Sequence, residues 1–326
     1  MAAYSRDTVL RAAIVWGAEV GPAGFRKLLA RFGSAQAILE AGPEDLSEAD
    51  PRLTAEQIEA LTRLAPRGPE FAEYLARLRE SGVDVVSSRD EDYPQGLLAL
   101  RNPPPLLCIR GRILPEDDVA VAIVGTRSPN RDDVERTYAL ARLFAAERIT
   151  VVSGLALGVD SAAHRGALMA GGRTLAALGS GIRRVYPAEN ADLVDGIAEA
   201  GAVLSELAPT SGAVVGTLMA RNRLIAALAR AVVVVASGIG GGSLVTAEWA
   251  QKQGKPVAAV DWEKMNPKRL GNRQLLAEGA FPLANDVHVR ELCDLIRRSH
   301  PSQSQTHETP DHDTHDEGDQ QLTIFD

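Results

Sequence analysis

Hydrophobic and polar positions divide the chain into distinct stretches. Over residues 5–64, apolar positions recur at helical spacing, through Val9, Ala12, Ala13 and Trp16 and then Phe25, Leu28, Leu29 and Phe32. Val20-Gly21-Pro22-Ala23-Gly24 supplies a turn between the two runs, and Gly33-Ser34 closes the second. A Pro/Gly break (Pro66, Gly68, Pro69) leads to a predicted helix through about Glu80, a strand at VDVVSS and the segment LLCIRG. From Val119 the rhythm changes to short runs that are apolar at every position: VAVAIVG, ITVVSG, TLAALG, AVLSE, AVVVVAS and PVAAVD. Between them lie helical stretches of about 10–17 residues, the length that a parallel crossover needs.

Runs that are apolar on both faces belong to strands covered on both sides. The prediction is therefore an α/β protein, a doubly wound Rossmann-like parallel sheet over residues 119–298 that ends in a helix near Asp286–Arg298. A small helical domain of SAM-like or helix-hairpin-helix type occupies residues 1–65, and residues 66–118 form a linker and lead-in to the sheet. Helix-hairpin-helix turns can hold nucleic-acid phosphates, but ligand-free helical bundles share the pattern, and that plainer reading is preferred for GPAGFRKLLARFG. Residues 299–326 are polar until their last few positions and are expected to form a disordered acidic tail.

Composition narrows the class. Hydrophobic residues make up 45% and charged residues 24%, an ordinary balance for a soluble globular chain. The longest uncharged stretch, Ala231 to Ala247, is interrupted by Gly238, Gly240, Gly241 and Gly242 and cannot supply a membrane span of about 20 apolar residues. Arg6, Asp7 and Arg11 stand where a signal peptide needs its apolar centre. Cys108 and Cys293, the only cysteines, fit a reducing cytoplasm and exclude a disulfide scaffold or a cysteine metal cluster. Of the net charge of −8, the tail carries −7, since residues 299–326 hold seven acids and no Lys or Arg. The body is near neutral, so an acidic total does not argue against an anion-binding face.

Four glycine-bearing turns follow predicted strands: Gly125-Thr126-Arg127-Ser128, Ser153-Gly154 onward, Gly179-Ser180-Gly181, and Ser237 to Ser243 with Gly241 and Gly242. Ligands of doubly wound sheets bind outside the carboxyl ends of the strands, where glycine lets backbone N–H groups approach phosphate oxygens. Tight strand-to-helix turns need glycine in any case, but four on one rim point to an anionic ligand. None matches a P-loop or a G-x-G-x-x-G fingerprint, so neither nucleotide hydrolysis nor a dinucleotide cofactor follows. Arg221-Asn222-Arg223 opens a predicted helix on the same rim, and paired guanidiniums suit two-pronged phosphate contacts. Asp160 and His164 share a helix face, but without a nucleophile to serve, His164 is read as a structural hydrogen-bond partner. No catalytic residue, metal site or cofactor is assigned.

These motifs, in this order, resemble the DNA-processing protein A (Smf/DprA) family. AIVGTRSPN, VVSGLALGVDSAAHRGAL, LGSGIRRVYPAEN, LSELAP, ARNRLIAAL and GGGSLVTAEWAQKQGKPVAAV follow its spacing, and DEDYPQGLLALRNPPPLLCIRG resembles its lead-in. The resemblance implies a cytoplasmic, non-enzymatic, dimeric protein that binds single-stranded DNA and helps load RecA recombinase during natural transformation. It also implies phosphate contacts from Gly125, Thr126, Arg127, Ser153, Gly154, Arg221, Asn222, Gly242 and Ser243. Departures are visible. Leu218-Met219 stand where the family commonly has an aromatic and a proline, Gly240-Gly241-Gly242 lacks the usual arginine, Glu248 adds a negative charge, and DWEKMNPKRLGNRQLL is rewritten. Many family members also end in a winged-helix-like domain, where this sequence has its acidic tail. An alternative from another class uses Thr246 and Glu248 after the Gly-rich turn, as a nucleotide sensor or phosphoribohydrolase. Gln321-Leu322-Thr323-Ile324-Phe325 resembles the peptide by which replication and repair proteins dock on the sliding clamp. Equally, it reads as an apolar end that folds back on its own domain or as a chance ending.

Overall fold

The computed structural model describes residues 3–64 and 68–298, so Gln321, Leu322, Ile324 and Phe325 lie outside the described residues. Short helices open the chain: α1 (Arg6–Ala12), α2 (Pro22–Phe32), α3 (Ala35–Glu40), α4 (Pro43–Ala49) and α5 (Ala55–Leu64). Pro22 at the first turn and Gly33, left-handed at φ 81°, set the ends of α2. Ser34 then starts α3 by accepting from Ala37 N at 3.1 Å. The apolar stripes of these helices close over a core of Ile14, Phe25, Leu28, Ile38, Leu46 and Leu61.

The rest of the chain builds one sheet: α6 (Gly68–Glu80), β1 (Asp84–Ser87), α7 (Gln95–Leu98), β2 (Leu106–Gly111), β3 (Ala120–Val124), α8 (Arg131–Ala146), β4 (Thr150–Ser153), α9 (Val159–Met169), β5 (Thr174–Ala177), α10 (Ala191–Ala200), β6 (Ala202–Ser205), α11 (Val215–Ala220), α12 (Asn222–Leu228), β7 (Ala231–Val234), α13 (Gly242–Lys252), β8 (Val257–Val260), α14 (Leu270–Ala277), β9 (Phe281–Leu283) and α15 (Asp286–Arg298). The strand order is β1-β2-β6-β5-β4-β3-β7-β8-β9. β3 through β9 pair in parallel, while β1–β2 and β2–β6 are antiparallel. The sheet therefore begins at Asp84, and the segment read as a lead-in supplies two of its strands. β9 escaped the sequence reading because it is three residues long and contains Pro282, which suits an edge strand.

Both faces of the parallel strands β3 to β8 are buried, as their composition requires. Val121, Ile123 and Val233 face Phe144 of α8 and Ile296 of α15, while Ala122, Val232 and Val234 face Leu224, Ile225 and Ala250. Each fully buried Val, Leu, Ile or Phe contributes about 1.5–3 kcal/mol. Val9 and Ala12 of α1 pack with Leu75 and Leu78 of α6 onto Val85, Leu106 and Cys108, which fastens the helical unit to the antiparallel end of the sheet. Among the described residues no helix is long and apolar enough to cross a membrane.

The winding of the sheet positions the site. From β3 the chain winds outward through β4, β5 and β6, then returns to place β7 on the other side of β3. The connections from β3 and β7 thus leave in opposite directions, and the carboxyl ends of these two strands border a crevice, the switch point at which doubly wound sheets bind ligands.

Candidate nucleic-acid interface

The crevice is a cavity of about 400 Å³. One wall is Gly125-Thr126-Arg127-Ser128 after β3, the other is Ser237, Gly238 and Gly241-Gly242-Ser243 after β7, and Val215, Leu218, Met219, Asp160, Arg221 and Asn222 complete the lining. The walls are tied together. Thr126 N donates to Ala236 O at 2.7 Å, and Ser243 Oγ lies 2.8 Å from Ser237 Oγ. Asn222 Nδ2 reaches Gly242 O at 3.2 Å. Gly241 caps α13 without any side-chain hydrogen bond, and Gly242 and Ser243 of its first turn line the cavity.

Charge in the cavity is layered. Arg127 is exposed on its turn, with no hydrogen-bond or ion-pair partner among the described residues. Arg221 is buried, 4% exposed, and its Nη1 donates to Gly154 O and to Ala177 O. Its Nε has no hydrogen-bond partner. Burial lowers its pKa to about 10, against the pull of Asp160, so it stays protonated at neutral pH. Asp160 accepts from Gly154 N at 3.1 Å and Ala156 N at 3.4 Å. Burial pushes its carboxyl upward, while Arg221 and the two backbone donors oppose that rise. The buried Arg221, its charge partly offset by Asp160, and the exposed, unpaired Arg127 give the cavity a cationic lining.

The predicted residues divide in two groups. Gly125, Thr126, Arg127, Arg221, Asn222, Gly241, Gly242 and Ser243 meet at the cavity. Ser153 and Gly154 do not reach it: Ser153 Oγ donates to Ile123 O at 2.7 Å, and the space above Gly154 is filled by Arg221. Arg223 turns away and forms an ion pair with Glu206, both nearly buried. The Gly179-Ser180-Gly181 turn is closed by Ala208, Pro209 and Leu218 packed against its glycines, so the open rim holds two glycine turns rather than four. His164 is fully buried with Nδ1 2.7 Å from Thr174 Oγ1, which is a structural contact. Glu248 is exposed and takes no part in the cavity wall.

Two contributors were missed, both in the rewritten segment after β8. Lys268 Nζ donates to Ser128 O at 2.5 Å, which sets a further cation at the lip. Buried Asn272 accepts from Ser237 N at 2.8 Å and donates to Val234 O and Val235 O at 2.9 Å, fixing the turn after β7. The GNRQ tetrad at a helix start was the available signal.

Fold and site together define a doubly wound α/β protein with an appended helical unit and a cavity lined by arginines at its switch point. The profile described as DNA recombination-mediator protein A matches residues 84–294, and the one described as DprA-like N-terminal HHH domain matches residues 17–62. The chain belongs to the DNA recombination-mediator protein A family. It is 32% identical over 213 residues to the DNA processing protein DprA of Bacillus subtilis, a match covering 65% of this chain and 72% of that one. It is 35% identical over 192 residues to Protein Smf of Synechocystis, covering 58% of this chain but only 48%, about half, of that relative. Among solved structures, DprA from Streptococcus pneumoniae aligns with a TM-score of 0.74 at 26% identity, covering 89% of this chain and 98% of that one. DprA from Helicobacter pylori, a structure described for its single-stranded DNA binding mode, aligns with a TM-score of 0.58 at 29% identity, covering 67% and 97%.

Proposed function

We propose that this chain binds single-stranded DNA through the switch-point cavity and acts as a recombination mediator in DNA processing, without catalysing a reaction itself. The observation that carries the reading is Arg127, exposed and unpaired at the mouth of a cavity whose floor holds the buried Arg221 cation. A phosphate there meets Arg127, the charge of Arg221, the N-terminal end of α13 at Gly242 and Ser243 and, at the lip, Lys268. Family membership supports a cytoplasmic setting, a homodimer, and a RecA-type recombinase as partner. The peptide Gln321, Leu322, Ile324 and Phe325 is proposed as a tether to the sliding clamp. Glu248 is exposed and outside the cavity wall, which takes from the phosphoribohydrolase alternative the acid assigned to it. The test is an electrophoretic shift of a labelled 20-mer of DNA run beside a nucleobase-release assay on mononucleotides. Strand retention with no base released supports the mediator; base release with no retention contradicts it.

A further inference from the structure

A second and larger concavity, about 770 Å³, separates the turn after α1 from the sheet. Its walls combine two indole side chains with charge. Trp16 comes from the helical unit and Trp249 from α13, and the nearly buried Arg223–Glu206 ion pair lines the same cleft. Arg101, also lining it, is exposed and has no hydrogen-bond or ion-pair partner among the described residues. Trp16 Nε1 is shut off from water, so Trp16 offers the cleft its ring rather than its N–H. Ligand sites between domains have this size and this mixture of apolar walls and few polar groups.

The cleft is a neighbour of the anion cavity. Thr217 and Ala220 of α11 line the cleft, while Val215, Leu218 and Met219 of the same helix line the cavity, so α11 is the partition between them. Val214 and Val215 on that partition are 61% and 78% exposed. α13 measures the separation, because its first residue Gly242 borders the cavity and Trp249 borders the cleft. Seven residues of helix at about 1.5 Å each span roughly 10 Å, the reach of about three stacked nucleotides at 3.4 Å per strand step.

We infer that this cleft is a second subsite for the same single strand, taking a base against Trp16 and Trp249 after the backbone crosses Val214 and Val215 from the anion cavity. The inference rests on the DNA-binding reading above. Indole faces accept any base by stacking, and Arg101 meets the phosphate that enters with it. A plain apolar peptide would use the indole faces and leave the Arg101 cation unmatched. Leu218 and Met219 offer no aromatic platform in the anion cavity itself; the tryptophans supply one next door.

Two readouts on the full chain test this: anisotropy of a labelled oligo-dT 20-mer, and tryptophan emission during the same titration. Of the chain's three tryptophans, Trp262 lies under Arg269 with Nε1 on Val235 O, so quenching reports the cleft. The expected result is saturable quenching that tracks anisotropy and persists in Trp262→Phe. Trp249→Ala and the surface variant Arg101→Glu should each weaken the 20-mer about fivefold or more, with urea midpoints confirming that both variants are folded. Strand binding without quenching, with affinity unchanged in both variants, overturns the subsite and leaves the anion cavity standing. No strand binding at all overturns both. Saturable quenching by dAMP alone, without strand binding, makes the cleft a free-nucleotide site and contradicts the strand path.

Discussion

The guanidinium of Arg221 occupies the place that a side chain at Gly154 would take. A Cβ there would lie 2.0 Å from Nη1 and 2.4 Å from Cζ, while Nη1 itself donates to the Gly154 carbonyl. The turn after β4 is thus a socket for the cation that charges the cavity floor, rather than part of the open rim.

Gly154→Ala is therefore expected to expel Arg221 and destabilise the fold by about 1–3 kcal/mol, with anion affinity falling as well. Gly242→Ala is the control, since its nearest neighbour would be Met219 Sδ at 3.7 Å; its stability should stay within about 0.5 kcal/mol of the parent. Urea midpoints of the two variants check this.

His164 should impose an acid-side loss of stability. Burial, then Arg221, lowers its pKa from 6.5 to about 3 in the fold, so the unfolded chain binds the proton more readily. The stability it lends is complete above pH 6.5 and falls as pH drops toward 3, by up to about 1.4 kcal/mol per pH unit. Asp160, whose pKa is raised by burial, acts with the opposite sign from its unfolded value upward, so the comparison needs a variant. His164→Asn should flatten the dependence between pH 6.5 and 4; an unchanged slope would contradict the assignment.

The Arg223–Glu206 pair predicts a strong coupling. Glu206→Leu leaves a nearly buried guanidinium without its anion and should cost about 3–5 kcal/mol. Arg223→Met/Glu206→Leu should lose less than the two single changes together. A double-mutant cycle by chemical denaturation measures the difference.

The α/β class was legible because the strand segments from Val119 to Asp261 are apolar at nearly every position, the pattern that strands buried on both faces require. Arg127 and the turns after β3 and β7 were legible because strand-end glycines point to a rim. What local pattern cannot show is which turn stays open. Gly154 and Gly179 read like Gly125 until Arg221 and Leu218 arrive from more than 35 residues away to fill them. Glu206 claiming Arg223, and Lys268 reaching Ser128 across 140 residues, are likewise decided by where the topology brings segments together. β1 and β2 stayed outside the predicted sheet because an antiparallel extension gives no crossover signal.

Above all, Arg127 and the switch-point cavity should hold a phosphate of single-stranded DNA. The most direct measurement is the equilibrium affinity for an oligo-dT 20-mer between about 50 and 200 mM salt, for the parent and Arg127→Ala. The parent should show a log–log salt dependence, and Arg127→Ala weaker binding with the slope reduced by about 0.7, the loss of one phosphate contact on a single strand. Binding that ignores salt, or an Arg127→Ala protein with the affinity and slope of the parent, would contradict it.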